Sequence, residues 1–110
     1  MDDEIFRLHA EVCKIMAHPR RLQIINELRD GEVTLAGLAE ALRAAKANVS
    51  QHLSQMRQRG ILERRREGAE VFYRLANAKI VKACDLMREV LLEQLEKHRT
   101  IADQMSSARR

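Results

Sequence analysis

Tryptophan is missing from this 110-residue chain, and one tyrosine and two phenylalanines are its only aromatic residues. An aromatic-centred core is therefore excluded, and the interior has to be aliphatic with methionine filling gaps. No apolar run approaches the ~18–20 residues of a membrane span, and the acidic start MDDE is unlike a signal peptide. Those absences point to the cytoplasm and to no membrane partner. Two cysteines stand far apart without a CxxC, so neither a disulfide framework nor zinc-finger spacing is present. A glycine-rich phosphate loop and a nucleophile-elbow pattern are also lacking. An enzyme built on Cys13 or Cys84 as nucleophile has little support, and no motif implies a cofactor. Residues 1–110 make one small domain, able to bury roughly 60–70% of its unfolded surface, with modest stability unless a partner subunit helps.

The net charge of +4 is unevenly spread. Residues 1–42 hold five basic against eight acidic side chains, residues 43–75 eight against three, and residues 76–110 seven against five. Positive charge is thus concentrated in the middle third, the footprint of a surface that meets phosphates. That third also contains Lys46–Gly60, KANVSQHLSQMRQRG, around which the rest of the chain is organised. Val49, Leu53 and Met56 fall on one apolar line at helical spacing, which seats a helix on a core. The opposite side carries Lys46, Asn48, Ser50, Gln51, Ser54, Gln55 and Gln58, with Arg57 and Arg59 at the end and no acid. Amides and hydroxyls of this kind reach base edges in the DNA major groove. His52, set among them, reads as a phosphate or base contact rather than a metal ligand. Gly60 supplies the left-handed position that ends such a helix.

The flanking segments are compatible with that role. Residues 3–16 form a first helix, with Ile5, Leu8, Val12 and Ile15 on one face and Phe6, Ala10, Cys13 and Ala17 on a second; it needs two partners. Pro19 begins a second helix whose buried line is Leu22, Ile25 and Leu28, ended by Asp30-Gly31. Thr34 caps a short third helix with Leu35, Leu38, Ala39 and Leu42 inward. The turn RAAKA that follows is weakly marked, since Ala44 and Ala45 stand where a Ser or Asp cap is favoured. Beyond Gly60, alternation around Gly68 predicts a β-hairpin wing, with Leu62, Arg64 and Arg66 against Glu63 and Arg65. From Asn77, a good cap, one long helix runs to about residue 105 through Ile80, Cys84, Met87, Leu91 and Leu95. Its apolar line predicts a two-fold dimer through residues 1–17 and 77–105. The last residues, SSARR, are expected to fray.

In this order, AHPRRLQIINEL, ANVSQHLSQMRQRGIL and REGAEVFYRL resemble the ArsR family of winged-helix repressors over roughly residues 10–95. The resemblance implies a mainly α winged helix-turn-helix (four helices, a β-hairpin, a fifth helix) in a homodimer. It further implies a repressor that binds inverted-repeat operators in double-stranded DNA until an inducer releases it. By position Asn48, Ser50, Gln51, His52 and Ser54 match residues that meet DNA in relatives. Arg64, Arg65 and Arg66 match wing contacts to the minor groove, although Ala69 at the wing tip departs from a position often basic. The family's metal sites do not carry over. Thr34 and Ala36 replace a Cys-x-Cys, and Asn77, Lys79, Val90 and Glu93 replace acid and His ligands, so no metal is expected. Asp85 and His98 share ligand spacing but lie about two helical turns out of register.

Cys13 and Cys84 remain as a candidate thiol sensor for an oxidant, sulfide or a soft metalloid, because the helices that carry them pack together in such a fold. Relatives with two sensing thiols place the first near Asn26, so the match is to a strategy rather than to positions. The alternatives are a regulator whose cysteines are only small buried hydrophobes, and a protein-interaction module without specific DNA binding. Nothing in the sequence identifies the inducer.

Overall fold

The computed structural model describes residues 2–108, in the order α1 (Asp3–Met16), α2 (Pro19–Glu27), β1 (Val33–Thr34), α3 (Leu35–Leu42), α4 (Lys46–Gln58), β2 (Leu62–Glu67), β3 (Glu70–Leu75) and α5 (Lys79–Ala108). Local chemistry sets most of the boundaries. Asp2 Oδ1 accepts from the Glu4 amide at the start of α1, and His18 Nδ1 accepts from the Arg20 amide beside Pro19 in the first turn of α2. Thr34 Oγ1 accepts from the Gly37 amide at 3.0 Å, the expected cap of α3. A Cβ on Gly37 would sit 3.0 Å from Val33 and 3.2 Å from that hydroxyl, so glycine lets the cap close. Asn77 Oδ1 accepts from the Lys79 amide at 2.9 Å and starts α5. Gly60 ends α4 at φ 75° as expected.

The core gathers beneath α4. Ile24, Ile25 and Leu28 from α2, Leu38 from α3, and Val49, Leu53 and Met56 from α4 pack with Ile61, Leu62 and Tyr73 of the sheet. Sequence periodicity puts Leu22 on the buried line of α2, whereas Ile24 is fully buried and Leu22 only half so. The difference follows from α2 being surrounded by α3, α4 and α5, which turns a wider arc of it inward.

The wing is a three-stranded antiparallel sheet in the order β1-β3-β2, not a bare hairpin. The two-residue β1 pairs Val33 with Tyr73 and Thr34 with Phe72, too short a segment for alternation to reveal. In β2 and β3, Leu62 lies opposite Leu75 and Arg64 opposite Tyr73, while Glu63, Arg65 and Glu67 share the other face.

α5 touches the core through Ile80, Val81 and Cys84 and then projects, giving the chain extents of 66 × 41 × 22 Å. It continues past the expected end near residue 105, so Ser106, Ser107 and Ala108 are helical; Arg109 and Arg110, where fraying was also expected, lie outside the described residues. Among the described residues the exposed large hydrophobic side chains fall on two helices: Ile5, Phe6 and Leu8 on α1, and Leu86, Met87, Val90, Leu91, Leu92, Leu95, Ile101 and Met105 on α5.

The weakly marked turn before α4 closes in an instructive way. Arg43 adopts φ 52°, and the Arg43 and Ala44 amides donate to the Glu40 and Ala39 carbonyls at 3.2 and 3.0 Å. This is a Schellman end with a side chain where glycine is favoured, and the left-handed conformation costs an L-residue roughly 1–2 kcal/mol. Arg43→Gly is therefore expected to raise stability by about 0.5–1 kcal/mol after the extra backbone entropy of glycine is offset. A urea midpoint unchanged or lowered in the variant would show that the turn stores no such strain.

Candidate nucleic-acid interface

α4 divides cleanly into an inner and an outer side. Val49, Leu53 and Met56 have no exposure, while Lys46, Asn48, Gln51, Gln55 and Gln58 are exposed and Ser50, Ser54 and Arg57 half-buried. The packed line is what orients the polar one, because a helix with one buried stripe cannot rotate without exposing it. Its first residue follows Ala45, which makes no side-chain cap, so the leading amides of the helix have no side-chain acceptor there.

His52 does not join the outward set, and the expectation that it faces DNA is corrected. It lies three residues after Val49 and four before Met56, on the core side of the helix, and is buried at 9% exposure. Helical spacing carried this signal; grouping His52 with its polar neighbours obscured it. Arg21 Nε donates to His52 Nδ1 at 3.0 Å, and the His18 ring lies 4.5 Å away, tilted by 59°. Burial, and then the neighbouring His18, Arg21 and Arg20, hold the His52 imidazole below its ordinary pKa. Arg21 also donates to the Ile15 carbonyl at 2.9 Å and to Gln55 Oε1. One guanidinium thus joins the end of α1, the start of α2 and the middle of α4. Arg20, beside it, donates to the Leu42 carbonyl and ties α2 to the end of α3.

The basic residues are not equally available. Arg65, expected to meet the minor groove, instead bonds Glu32 at 2.8 Å and Glu67 at 2.7 Å and lies 4.3 Å over the Phe72 ring. Strand alternation turns it to the face shared with Phe72, away from Arg64 and Arg66. Bonding to Glu32, and then to Glu67, raises its pKa further above the ordinary arginine value. Arg74 pairs with Glu63 at 2.7 Å and Arg59 with Glu11 at 3.1 Å. Arg43, Lys46, Arg57, Arg64 and Arg66 make no ion pair among the described residues. Lys46 shares a groove with Ala69, Glu70 and Val71, which sets the start of α4 beside the wing turn.

The two thiols are brought to one place. Cys13 is exposed and Cys84 buried, and both line a cleft of about 540 Å³ between α1, α2 and α5, together with Met16, Leu22, Met87 and Leu91. Both are free thiols. Burial pushes the Cys84 thiol pKa up, opposed in part by Arg88. Asp85 is held by Arg29 at 2.7 Å and Arg88 at 2.6 Å, which lowers its pKa and occupies the carboxylate that shares ligand spacing with His98. Among the described residues no three His, Cys, Asp or Glu side chains are grouped to hold a metal ion.

Residues 18–64 match the family described as bacterial regulatory protein, arsR family. The chain is 37% identical over 82 residues to the transcriptional repressor PagR of Bacillus anthracis, covering 74% of this chain and 82% of that protein. It is 34% identical over 79 residues to the transcriptional activator HlyU of Vibrio cholerae, covering 72% and 73% respectively. Its fold matches the solution structure of a homodimeric winged helix-turn-helix DNA-binding domain from Mycobacterium bovis, a possible ArsR-family transcriptional regulator. That match has a TM-score of 0.77 at 32% identity, over 86% of this chain and 88% of that one.

The lowered His52 pKa makes stability depend on pH in a definite direction. Above about pH 6.5 the imidazole is neutral in both states and its contribution is full. As pH falls below that value the unfolded chain binds the proton first, so stability is lost until the folded pKa is reached. Urea unfolding between pH 8 and 5 is expected to show this loss, at most about 1.4 kcal/mol per pH unit, and His52→Gln is expected to remove it. An identical pH profile for the variant would contradict the assignment.

Proposed function

The chain belongs to the arsR family of bacterial regulatory proteins, and on that premise we propose that it acts as a homodimeric, sequence-specific DNA-binding repressor released by an inducer. The observation that carries this reading is the outer side of α4, where exposed amides and half-buried hydroxyls accompany Lys46 and Arg57, cations that no carboxylate among the described residues pairs. In the proposed complex Asn48, Ser50, Gln51, Ser54 and Gln55 meet base edges. Lys46, Arg57, Arg64 and Arg66 meet phosphates or the minor groove and fix register. His52 supports α4 from beneath, and Arg65 holds the wing together.

The dimer is proposed through residues 1–17 and 77–105. Its support is the apolar surface on α1 and α5, which a lone subunit would leave in water. Two-fold symmetry would then set two copies of α4 about one DNA turn apart, roughly 34–36 Å, and makes an inverted-repeat operator the matching site. No helix among the described residues is long and apolar enough to cross a membrane. The proposed location is the cytoplasm, and no catalysis is assigned.

For release, the shared cleft favours a thiol switch at Cys13 and Cys84. With Cys84 raised by burial, Cys13 is the more accessible thiol to react first. Oxidation of both thiols by a peroxide would form one disulfide and two waters. The expected result is loss of DNA binding on peroxide treatment of the wild type and retention in both Cys13→Ser and Cys84→Ser. A response unchanged in both variants would remove the thiols from the mechanism.

The DNA-binding reading is tested on duplexes selected from a random pool. Gln51→Ala is expected to weaken the selected duplex by about 1–3 kcal/mol while leaving random DNA unaffected. Arg64→Ala should weaken both and lower the salt slope by about one unit. Two chains per duplex are expected by sedimentation. Failure to enrich any sequence, or equal losses on both duplexes for Gln51→Ala, would defeat the reading.

A further inference from the structure

The Arg21 fork constrains more than the fold. A guanidinium carries only N–H donors, so whichever atom of Gln55 faces it has to be the amide oxygen. The two ends of a glutamine amide are otherwise nearly interchangeable, and here a donor-only neighbour decides between them. The other arms of Arg21 are occupied, Nε by His52 Nδ1 at 3.0 Å and one terminal nitrogen by the Ile15 carbonyl at 2.9 Å. The guanidinium is therefore held from three elements and cannot swing away from Gln55 without breaking bonds to α1 and to the His52 ring. Gln55 itself is exposed on the flank of α4, four residues after Gln51. Gln51 makes no side-chain hydrogen bond among the described residues and keeps both a donor and an acceptor to offer.

That difference has a consequence for base reading. A glutamine recognises adenine with its oxygen accepting from N6 and its nitrogen donating to N7. With its oxygen turned toward the Arg21 guanidinium, Gln55 directs its N–H groups away from that contact, and these are what it presents to a base. Guanine is the base whose major-groove edge shows two acceptors side by side, O6 and N7. We propose that Arg21 is a specificity-determining positioning residue, which holds the Gln55 oxygen toward itself, leaves the N–H groups to face the DNA and so directs Gln55 to guanine instead of adenine. This rests on the reading of α4 as the DNA-facing helix.

The test compares duplexes enriched from a random pool by wild type and variants, all checked for folding by thermal unfolding. Gln55→Ala identifies the position that Gln55 reads, as the one that becomes indifferent. There the wild type is expected to favour guanine over adenine by about 5- to 100-fold. Gln55→Lys, a donor only, keeps guanine; Gln55→Glu, an acceptor only, loses it. Arg21→Met frees the amide to turn and shifts that one position toward adenine, leaving the preferences set by Gln51 in place. A merely structural role for Arg21 would lower affinity without moving a single base preference. If Arg21→Met fails to fold, the three Gln55 variants still decide whether Gln55 reads guanine as a donor, and a wild type that selects adenine there overturns the role of Arg21 as well. Adenine selected by the wild type at that position overturns the proposal. So does a uniform affinity loss across sequences in Gln55→Ala, with no base position made indifferent, which would assign Gln55 to phosphate. A wild type that enriches nothing defeats the DNA-facing reading itself, whereas enrichment that ignores Gln55 and Arg21 defeats only this inference.

Discussion

Everything on the outside of α4 depends on what is locked on its inside. Val49, Leu53 and Met56 are without solvent exposure, and turning the helix by even one residue position would bring one of them into water and bury an amide. Fully burying such a side chain is worth about 1.5–3 kcal/mol, so three of them define the azimuth of the helix against any competing arrangement. The polar face needs no support of its own. It is outward because the opposite stripe is committed.

A second layer of control works through hydrogen bonds instead of burial. Arg21 reaches α1, α4 and the His52 ring at once, and Arg20 holds the end of α3. These contacts join the two helices of the helix-turn-helix across a connection that local chemistry defines poorly, with no side-chain cap at Ala45 and a left-handed arginine at position 43. α2 thus braces both helices, which also pack directly on each other, and the turn between them closes through the Arg43 and Ala44 amides. Such an arrangement places basic side chains in structural service at the very surface where they would be expected to serve a ligand.

That division explains what could be read in advance and what could not. The stripe of α4, the caps at Thr34 and Asn77, the glycine stop at position 60 and the alternation of the wing depend on neighbours a few residues away, and all were legible in the chain. Two-faced α1 and the long apolar line of α5 were legible for the same reason. The strand Val33–Thr34 was not, because two residues carry no period and their partner lies near position 73. Arg65 looked as free as Arg64 until Glu32, distant in sequence, proved to hold it. For His52 the signal was local and pointed inward, through its spacing from Val49 and Met56.

The long helix α5 meets the core through Ile80, Val81 and Cys84 and is tied to the end of α2 by the Asp85–Arg29 pair, all close to its start. Thirty residues make a rod about 45 Å long. It behaves as a pointer pivoting near one end, so a reorientation of about 5° at that pivot sweeps the far tip through roughly 4 Å. Small adjustments among a few side chains near Cys84 are thereby converted into ångström-scale travel far from where they occur.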